Sequence, residues 1–197
     1  MNTYLITTIE IALLLVLPLI WFYKQSNWSA KSYIYLIPIL YLVWYFTYGL
    51  LHELAHLAGV LAFGKQVIDY QLIPHFWDGD YGSGFVNYEF KGEYKDFFIV
   101  SLPYIRDVFF VTLGYFLIKR KVTSNIFLVG IILILLVFSP LFDITNNYIG
   151  FVMGYRNDFN ALRVSSNAFV SNLVGISFML FSVFISIKVL KYSRVYP

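Results

Sequence analysis

Five apolar runs recur along the chain, separated by short polar or charged segments. The runs cover approximately residues 4–23, 33–62, 97–118, 125–142 and 169–190. A helix needs roughly 20 residues to cross a hydrocarbon core of about 30 Å, and the runs are close to or above that length. The pattern predicts an all-α membrane protein with about five transmembrane helices, in which residues 1–197 form a single membrane-embedded domain.

The longest polar interruption, residues 65–96, follows the second run. Its two ends, "VIDYQLIP" and "FVNYEF", are rich in β-branched and aromatic residues, and the glycine-containing "DGDYGSG" lies between them. This composition predicts a β-hairpin or short β-rich segment, with an irregular loop at the membrane interface as the alternative. Gly64 is expected to end the preceding helix, because glycine adopts the left-handed conformation without strain.

Composition supports the membrane interpretation and narrows the chemistry. The chain is 59% hydrophobic and 13% charged, with a mean hydropathy of +0.71, which is typical of a multi-pass protein of the cell membrane. The sequence has no cysteine, which excludes thiolate metal ligands and cysteine nucleophiles. A net charge of +3 spread over loops and tail predicts no nucleic-acid partner. Lys and Arg gather after the first and third runs and near the carboxyl end, which predicts that those parts face the cytoplasm.

The second run contains a polar group of residues in "YGLLHELAHLAGVLAFG", residues 48–64. His52, Glu53 and His56 fit the pattern H-E-x-x-H. Residues i and i+4 of a helix share a face, with Cβ atoms about 6 Å apart, so the two imidazoles can bind one zinc ion. Glu53 is expected to lie beside the metal without ligating it, where it can take a proton from a zinc-bound water.

A chance match is the competing explanation for so short a pattern. However, an Asp, Lys or Arg near the centre of a membrane helix costs about 2.5 to 3.5 kcal/mol, so a polar cluster at this depth needs a functional reason. Gly49 and Gly59 lie three residues outside the histidines, near the same helical face. Their missing side chains would let another helix or a substrate backbone approach, and the sequence therefore predicts a zinc site.

A catalytic zinc needs a third protein ligand and keeps a fourth position open. The longer zinc pattern H-E-x-x-H-x-x-G-x-x-H would need histidine where the chain has Ala62, and no glutamate follows Glu93. We predict Asp143 as the third ligand, because it ends the fourth run on the membrane face that carries His56. Asp158 is the close alternative, and its competing structural role is that of a helix N-cap.

The remaining candidates have simpler explanations. Asp107 is adjacent to Arg106, which predicts a buried ion pair within the helix bundle. His75 is expected to be a polar residue of the long loop. Glu89 and Glu93 are formal candidates because they lie in the predicted β-rich segment.

Together these features resemble the site-2 protease family of intramembrane zinc metalloproteases. The resemblance rests on "HELAH" within an apolar run, a β-rich segment directly after it, and a later "SPLFD" with an aspartate near a proline. It implies that His52, His56 and a later aspartate bind zinc, and that Glu53 is the general base. The glycine that follows the aspartate in that family is replaced here by Ile144.

The motif and the resemblance predict a zinc endopeptidase that hydrolyses membrane-associated proteins or peptides in or near the lipid bilayer. The alternative is a non-catalytic membrane scaffold that binds metal or substrate with the same fold. Glu53 disfavours the scaffold, because a site that only holds zinc needs no base. A prenyl-protein endopeptidase would need a glutamate after Glu93, and a transporter with an intramembrane histidine pair would not need Glu53.

Overall fold

The computed structural model describes residues 3–73 and 84–196. In these ranges five helices are long and apolar enough to cross a membrane, and we call them spans 1 to 5. In chain order the spans are Leu5–Gln25, Ala30–Ala62, Tyr94–Lys119, Ile126–Val152 and Ala168–Val195. The prediction of five helices with the length and apolarity of membrane spans is confirmed.

Most spans are single helices, and two contain a π-helical turn. Span 1 consists of α1 (Thr3–Ile11), a π turn (Ala12–Val16) and α2 (Leu17–Gln25). Span 2 is α3 (Ala30–Ala62), and span 3 is α4 (Tyr94–Lys119). Span 4 consists of α5 (Ile126–Leu133), a π turn (Ile134–Phe138) and α6 (Ser139–Val152). A short helix, α7 (Asp158–Ser165), precedes α8 (Ala168–Lys191) of span 5, which ends in a 3₁₀ turn (Ser193–Val195).

The predicted β-hairpin region forms a small antiparallel sheet. Strand β1 (Val67–Gln71) pairs with β2 (Phe85–Tyr88), and a bulge interrupts the register after Val67. Gly64 ends span 2 as expected: its φ is +63°, and the amide of Lys65 donates to the carbonyl of Val60 at 3.0 Å. This left-handed turn directs the chain out of the helix and into the sheet.

The outer surface of the spans suits a bilayer. On span 5, exposed apolar side chains recur every three or four residues and form one stripe along the helix: Leu173, Ile176, Leu180, Phe184 and Ile187. Inward-facing side chains of all five spans form a separate buried core that includes Phe22, Leu40, Val111, Phe138 and Val189. The spans are thus apolar both on their outer surface and on their inner surface. This is expected of helices that contact lipid outside and one another inside.

Span 4 continues past the end predicted from hydropathy. The fourth apolar run stops at residue 142, and Asp143 was expected at a helix end, but the helix extends to Val152 and encloses Asp143 with no exposed surface. The extension is held by packing, because Ile144 and Tyr148 turn inward and meet Phe159 of α7 in a second buried cluster. Hydropathy misses this segment because only one of its faces is apolar.

A glycine allows spans 3 and 4 to approach at the π turn. Pro140 has no amide hydrogen, so it cannot donate to the Leu136 carbonyl one turn earlier. Gly114 of span 3 lies against this point: a Cβ added there would be 3.0 Å from the Leu136 oxygen and 2.7 Å from Val137 Cγ2. The contact positions span 3, which carries Tyr104 and Arg106, beside the part of span 4 that carries Asp143.

We expect Gly114→Ala to destabilise the protein by about 1–3 kcal/mol, because the new methyl group overpacks a backbone contact that cannot yield easily. Thermal unfolding in detergent would measure the effect. Gly49→Ala is the matched control, since no atom lies within 4 Å of a Cβ added at Gly49. Alanine there removes a mid-helix glycine and should be neutral or stabilising by up to about 1 kcal/mol. Equal stability of both variants would contradict the proposed close packing.

Candidate metal centre

The two motif histidines lie side by side on the buried face of span 2. His52 and His56 are 8% and 7% exposed, and their ring centroids are 5.0 Å apart. Their spacing of four residues produces this arrangement, since i and i+4 are neighbours on a helix surface. The sequence prediction that both imidazoles face one point is therefore met by the geometry.

Asp158 completes a cluster of three ligand-type side chains. Its Oδ2 atom lies 3.0 Å from His52 Nε2 and 3.1 Å from His56 Nε2. The Tyr104 hydroxyl of span 3 donates to the same oxygen at 2.9 Å. Asp158 reaches the histidines because Asn157 caps α7 in its place, accepting from the Phe159 amide. The N-cap role considered for Asp158 is therefore taken by its neighbour.

The other nitrogen of each histidine has an acceptor of its own. His56 Nδ1 lies 3.2 Å from the Ile99 carbonyl, which can only accept, so this nitrogen carries the proton. His52 Nδ1 lies 2.7 Å from Asp143 Oδ2 and donates to it. With both Nδ1 atoms committed as donors, both Nε2 atoms are directed at Asp158. Carboxylate and carbonyl partners of this kind fix the tautomer that a histidine metal ligand needs.

Asp143 is the acceptor at the centre of a buried polar network. Besides His52, its carboxylate accepts hydrogen bonds from Arg106 at 2.9 Å, from Asn147 at 2.9 Å and from Tyr48 at 3.2 Å. Arg106 also pairs with Asp107, which confirms the predicted ion pair. These partners come from spans 2, 3 and 4, so the network ties three helices together behind His52.

The donor set fits a metal ion. Ligands about 2.05 Å from a tetrahedral ion lie about 3.3 Å apart, close to the 3.0 and 3.1 Å separations between the imidazole nitrogens and Asp158. The ligand atoms of His52, His56 and Asp158 all lie within 4.8 Å of one another. Two nitrogens and one carboxylate oxygen are ligands that zinc accepts. The three residues can therefore hold a metal ion.

The electrostatics of Asp158 are those of an ionised ligand. Burial by itself raises the pKa of this carboxyl, but the nearby His56 and His52 rings, through charge and hydrogen bonds, outweigh it and hold the pKa well below its usual range. Its side chain is one-quarter exposed, because it borders the cavity described next. These interactions need a proton on each Nε2 atom, whereas metal ligation requires neutral imidazoles and a deprotonated carboxylate, so a bound ion would take the place of those protons.

Glu53 borders the same cavity from the helix that carries the histidines. The cavity has a volume of about 670 Å³ and is lined by Glu53, His52, His56 and Asp158. Across the described ranges, no hydrogen bond or ion pair joins the Glu53 carboxylate to another residue. Gly84, directly before β2, packs against this side chain, since a Cβ there would lie 2.9 Å from Glu53 Cγ. The start of β2 therefore packs against one side of Glu53, and the other side of the Glu53 side chain lines the cavity.

The predicted preference for Asp143 as third ligand does not fit this geometry. Asp143 lies on the Nδ1 side of His52, whereas Asp158, the alternative, lies on the Nε2 side that both histidines share. The physical reason is that α6 continues through Asp143, whose side chain is enclosed by Arg106, Asn147 and Tyr48 and does not reach the shared point.

The other candidate ligands lie elsewhere. Glu89 pairs with Lys91 on the surface, and Glu93 begins span 3 as a capping residue. His75 lies outside the described residues.

Sequence reasoning missed three residues that donate hydrogen bonds to Asp143 or Asp158: Tyr48, Tyr104 and Asn147. Tyr48 had a signal, because it lies four residues before His52 and hence on the same helical face. Asn147 had one too, lying four residues after Asp143, whose carboxylate and carbonyl it contacts. Tyr104 had no local signal, because it meets Asp158 only through the packing of span 3 against α7.

Gly59 explains how the Ile99 carbonyl reaches His56. A Cβ added at Gly59 would lie 3.2 Å from the Ile99 Cα and 2.6 Å from Leu102 Cδ1. Spans 2 and 3 therefore approach most closely one turn beyond His56, as the sequence predicted for a small residue there. Gly49, by contrast, lines the open cavity.

Comparisons with protein-family models, with curated proteins and with solved structures found no match.

We expect Asp158→Asn to weaken zinc binding more than Asp143→Asn does. Loss of a residue that only orients a ligand typically lowers metal affinity about 10- to 100-fold, whereas Asp158→Asn removes the charged ligand itself. Competition with a chromophoric chelator, using purified protein in detergent, would rank the two variants. The reverse order, with Asp143→Asn the weaker binder, would show that Asp143 is the ligand.

Gly59→Ala should lower zinc affinity although residue 59 touches no ligand. The added methyl group pushes span 3 away and lengthens the bond from His56 Nδ1 to Ile99, so we expect a loss of about 10-fold. The same chelator competition measures it, with Gly49→Ala as the control for a glycine change in span 2 that meets no atom. Unchanged affinity in Gly59→Ala would contradict the orienting role of the Ile99 carbonyl.

Proposed function

We propose that this protein is a zinc endopeptidase that hydrolyses peptide bonds of membrane-associated proteins or peptides, similar in mechanism to site-2 proteases. The observation that carries the proposal is the convergence of His52, His56 and Asp158 on one point of a cavity that also exposes Glu53. A protein that only binds metal needs His52, His56 and Asp158. A hydrolase also needs a general base, and Glu53 supplies that group.

Each residue has a role that follows from its position. His52, His56 and Asp158 hold the ion, and the Tyr104 hydroxyl bonds Asp158. A zinc ion held there would supply a Lewis acid for the peptide carbonyl and would lower the pKa of water to about 7. Glu53, on the cavity wall, would act as the general base that takes the proton of the attacking water and passes it to the leaving amine. Asp143 and the Ile99 carbonyl keep the Nε2 atoms free for the ion.

Strand β2 offers a way to hold the substrate extended. Phe85, Val86 and Tyr88 of this strand line the cavity, and among the described residues β2 pairs only with β1. A peptide added along the other edge would have its carbonyls released from helical hydrogen bonds. Hydrolysis needs this release, because in a helix each carbonyl is bonded to the amide four residues on.

The metal-binding scaffold is the second candidate. It accounts for the histidines and Asp158 but not for Glu53, a buried carboxylate that borders the cavity and bonds to no other described residue. Such a group costs stability, and an ionisable residue within a membrane helix is therefore by default a candidate functional residue. The position of Glu53 therefore favours hydrolysis.

Glu53→Gln should abolish cleavage while leaving zinc binding intact. A general base contributes about 10²- to 10⁴-fold to a rate, and glutamine keeps the shape but cannot take a proton. The assay incubates zinc-loaded protein in liposomes with a panel of fluorescently tagged single-span peptides and identifies products by mass spectrometry. Glu89→Gln removes an exposed carboxylate that does not line the cavity and is the matched control. Cleavage by Glu53→Gln at the wild-type rate would disprove the mechanism.

A further inference from the structure

Glu10 of span 1 is a buried carboxylate that the proposed hydrolysis does not use. It is 6% exposed, and neither carboxylate oxygen has a hydrogen-bond partner among the described residues. An ionisable side chain inside a membrane helix normally marks a binding or transport function, because burying its charge without a partner is costly. The chain therefore lacks, within its described part, the group that would compensate Glu10.

Glu10 faces a second cavity rather than a packed core. This cavity has a volume of about 360 Å³ and lies between span 1 and the end of span 4. Its wall combines apolar side chains, including Ile6 and Met153, with polar ones, including Asn146 and Arg156. Arg156 is an exposed residue and makes no ion pair with Glu10.

The two cavities share part of their walls. Thr7, Asn146, Asn147, Arg156 and Asn157 line both. On α1, Thr7 and Ile11 face the metal cavity, whereas Ile6 and Glu10 face the smaller one, as two adjacent rows of i and i+4 residues. The cavities therefore adjoin at Thr7, and a substrate side chain that passed this residue from the metal cavity would meet Glu10.

We infer that Glu10 is a specificity-determining residue that binds the ammonium or guanidinium group of a lysine or arginine in the substrate. The inference rests on the proposed function, because it takes the occupant of the metal cavity to be a peptide. Lys and Arg have an apolar stem and a charged end, which match the apolar wall and the Glu10 carboxylate respectively. A cation satisfies a buried carboxylate better than a neutral donor, because charge-assisted hydrogen bonds are the stronger class.

Binding, measured separately from cleavage, tests this assignment. The probe is a leucine-alanine peptide of about 20 residues carrying one lysine, which is moved one residue at a time along the peptide. A matched series carries norleucine in place of lysine. Fluorescence anisotropy with zinc-loaded Glu53→Gln protein in phosphatidylcholine nanodiscs gives affinities without hydrolysis. We expect lysine to raise affinity about 10- to 100-fold over norleucine at one or two adjacent positions only.

Variants of Glu10 connect that preference to the carboxylate. Adding Glu10→Gln should abolish the lysine advantage and leave norleucine peptides unaffected, whereas Glu89→Gln, which removes an exposed carboxylate, should preserve it. Glu10→Lys should transfer the preference to a peptide carrying glutamate at the same position, an outcome that a misfolded protein cannot produce. Zinc content and the thermal midpoint of each variant verify folding.

The outcomes separate this site from the proposed activity. Equal affinity for lysine and norleucine at every position, or a lysine preference that survives Glu10→Gln, would overturn the assignment even if wild-type protein cleaves the peptides. A lysine preference lost in Glu10→Gln, with no cleavage of any peptide by wild-type protein, would support the cation site and disprove the peptidase.

Discussion

The hydrogen bond between His52 and Asp143 is the contact on which the polar interior depends. It links the helix of the histidine motif to span 4, and through Asp143 it recruits Arg106 from span 3. A carboxylate in an apolar bundle is stable only when its charge is balanced and its oxygens are bonded. Tyr48 and Asn147 supply the remaining donors, so both carboxylate oxygens of Asp143 are hydrogen-bonded. The same contacts orient the imidazole, and structural support and ligand orientation are therefore a single feature.

Close helix approach makes this network geometrically accessible. Glycines at 59 and 114 let the backbone of span 3 contact span 2 on one side and span 4 on the other. In a bilayer, where apolar burial does not drive helices together, such small residues permit the contacts and hydrogen bonds that do. Span 3 consequently brings the Ile99 carbonyl to His56, the Tyr104 hydroxyl to Asp158 and the Arg106 guanidinium to Asp143. A helix whose own sequence shows little of the chemistry thus supplies much of the site's support.

The working residues lie on one side of that supported core and face open space. Asp158 comes from α7, outside the spans, and approaches the imidazoles from the cavity side. Glu53 and β2 border the same cavity, and the cavity of Glu10 adjoins it across Thr7. Asp143 is thus enclosed by helices, whereas Glu53, Asp158 and Glu10 line two adjoining cavities. In the proposed function, this arrangement keeps Asp143 packed while solvent and peptide reach Glu53 and Asp158.

The sequence by itself determined the spans, the short sheet after span 2, and the facing pair of histidines with Glu53 beside them. These features depend on periodicity and composition within short windows of the sequence. Hydropathy misplaced the end of span 4, because the segment from Ile144 to Val152 is held by packing on one face only. Only the tertiary structure shows that Asp158, rather than Asp143, lies beside the Nε2 atoms of both histidines. Both aspartates return to the same end of the bundle. Which of them lies beside the Nε2 atoms depends on three features: the continuation of the helix through Asp143, the Asn157 cap on α7 and the approach of span 3. These features result from contacts between distant parts of the chain, which local sequence does not specify.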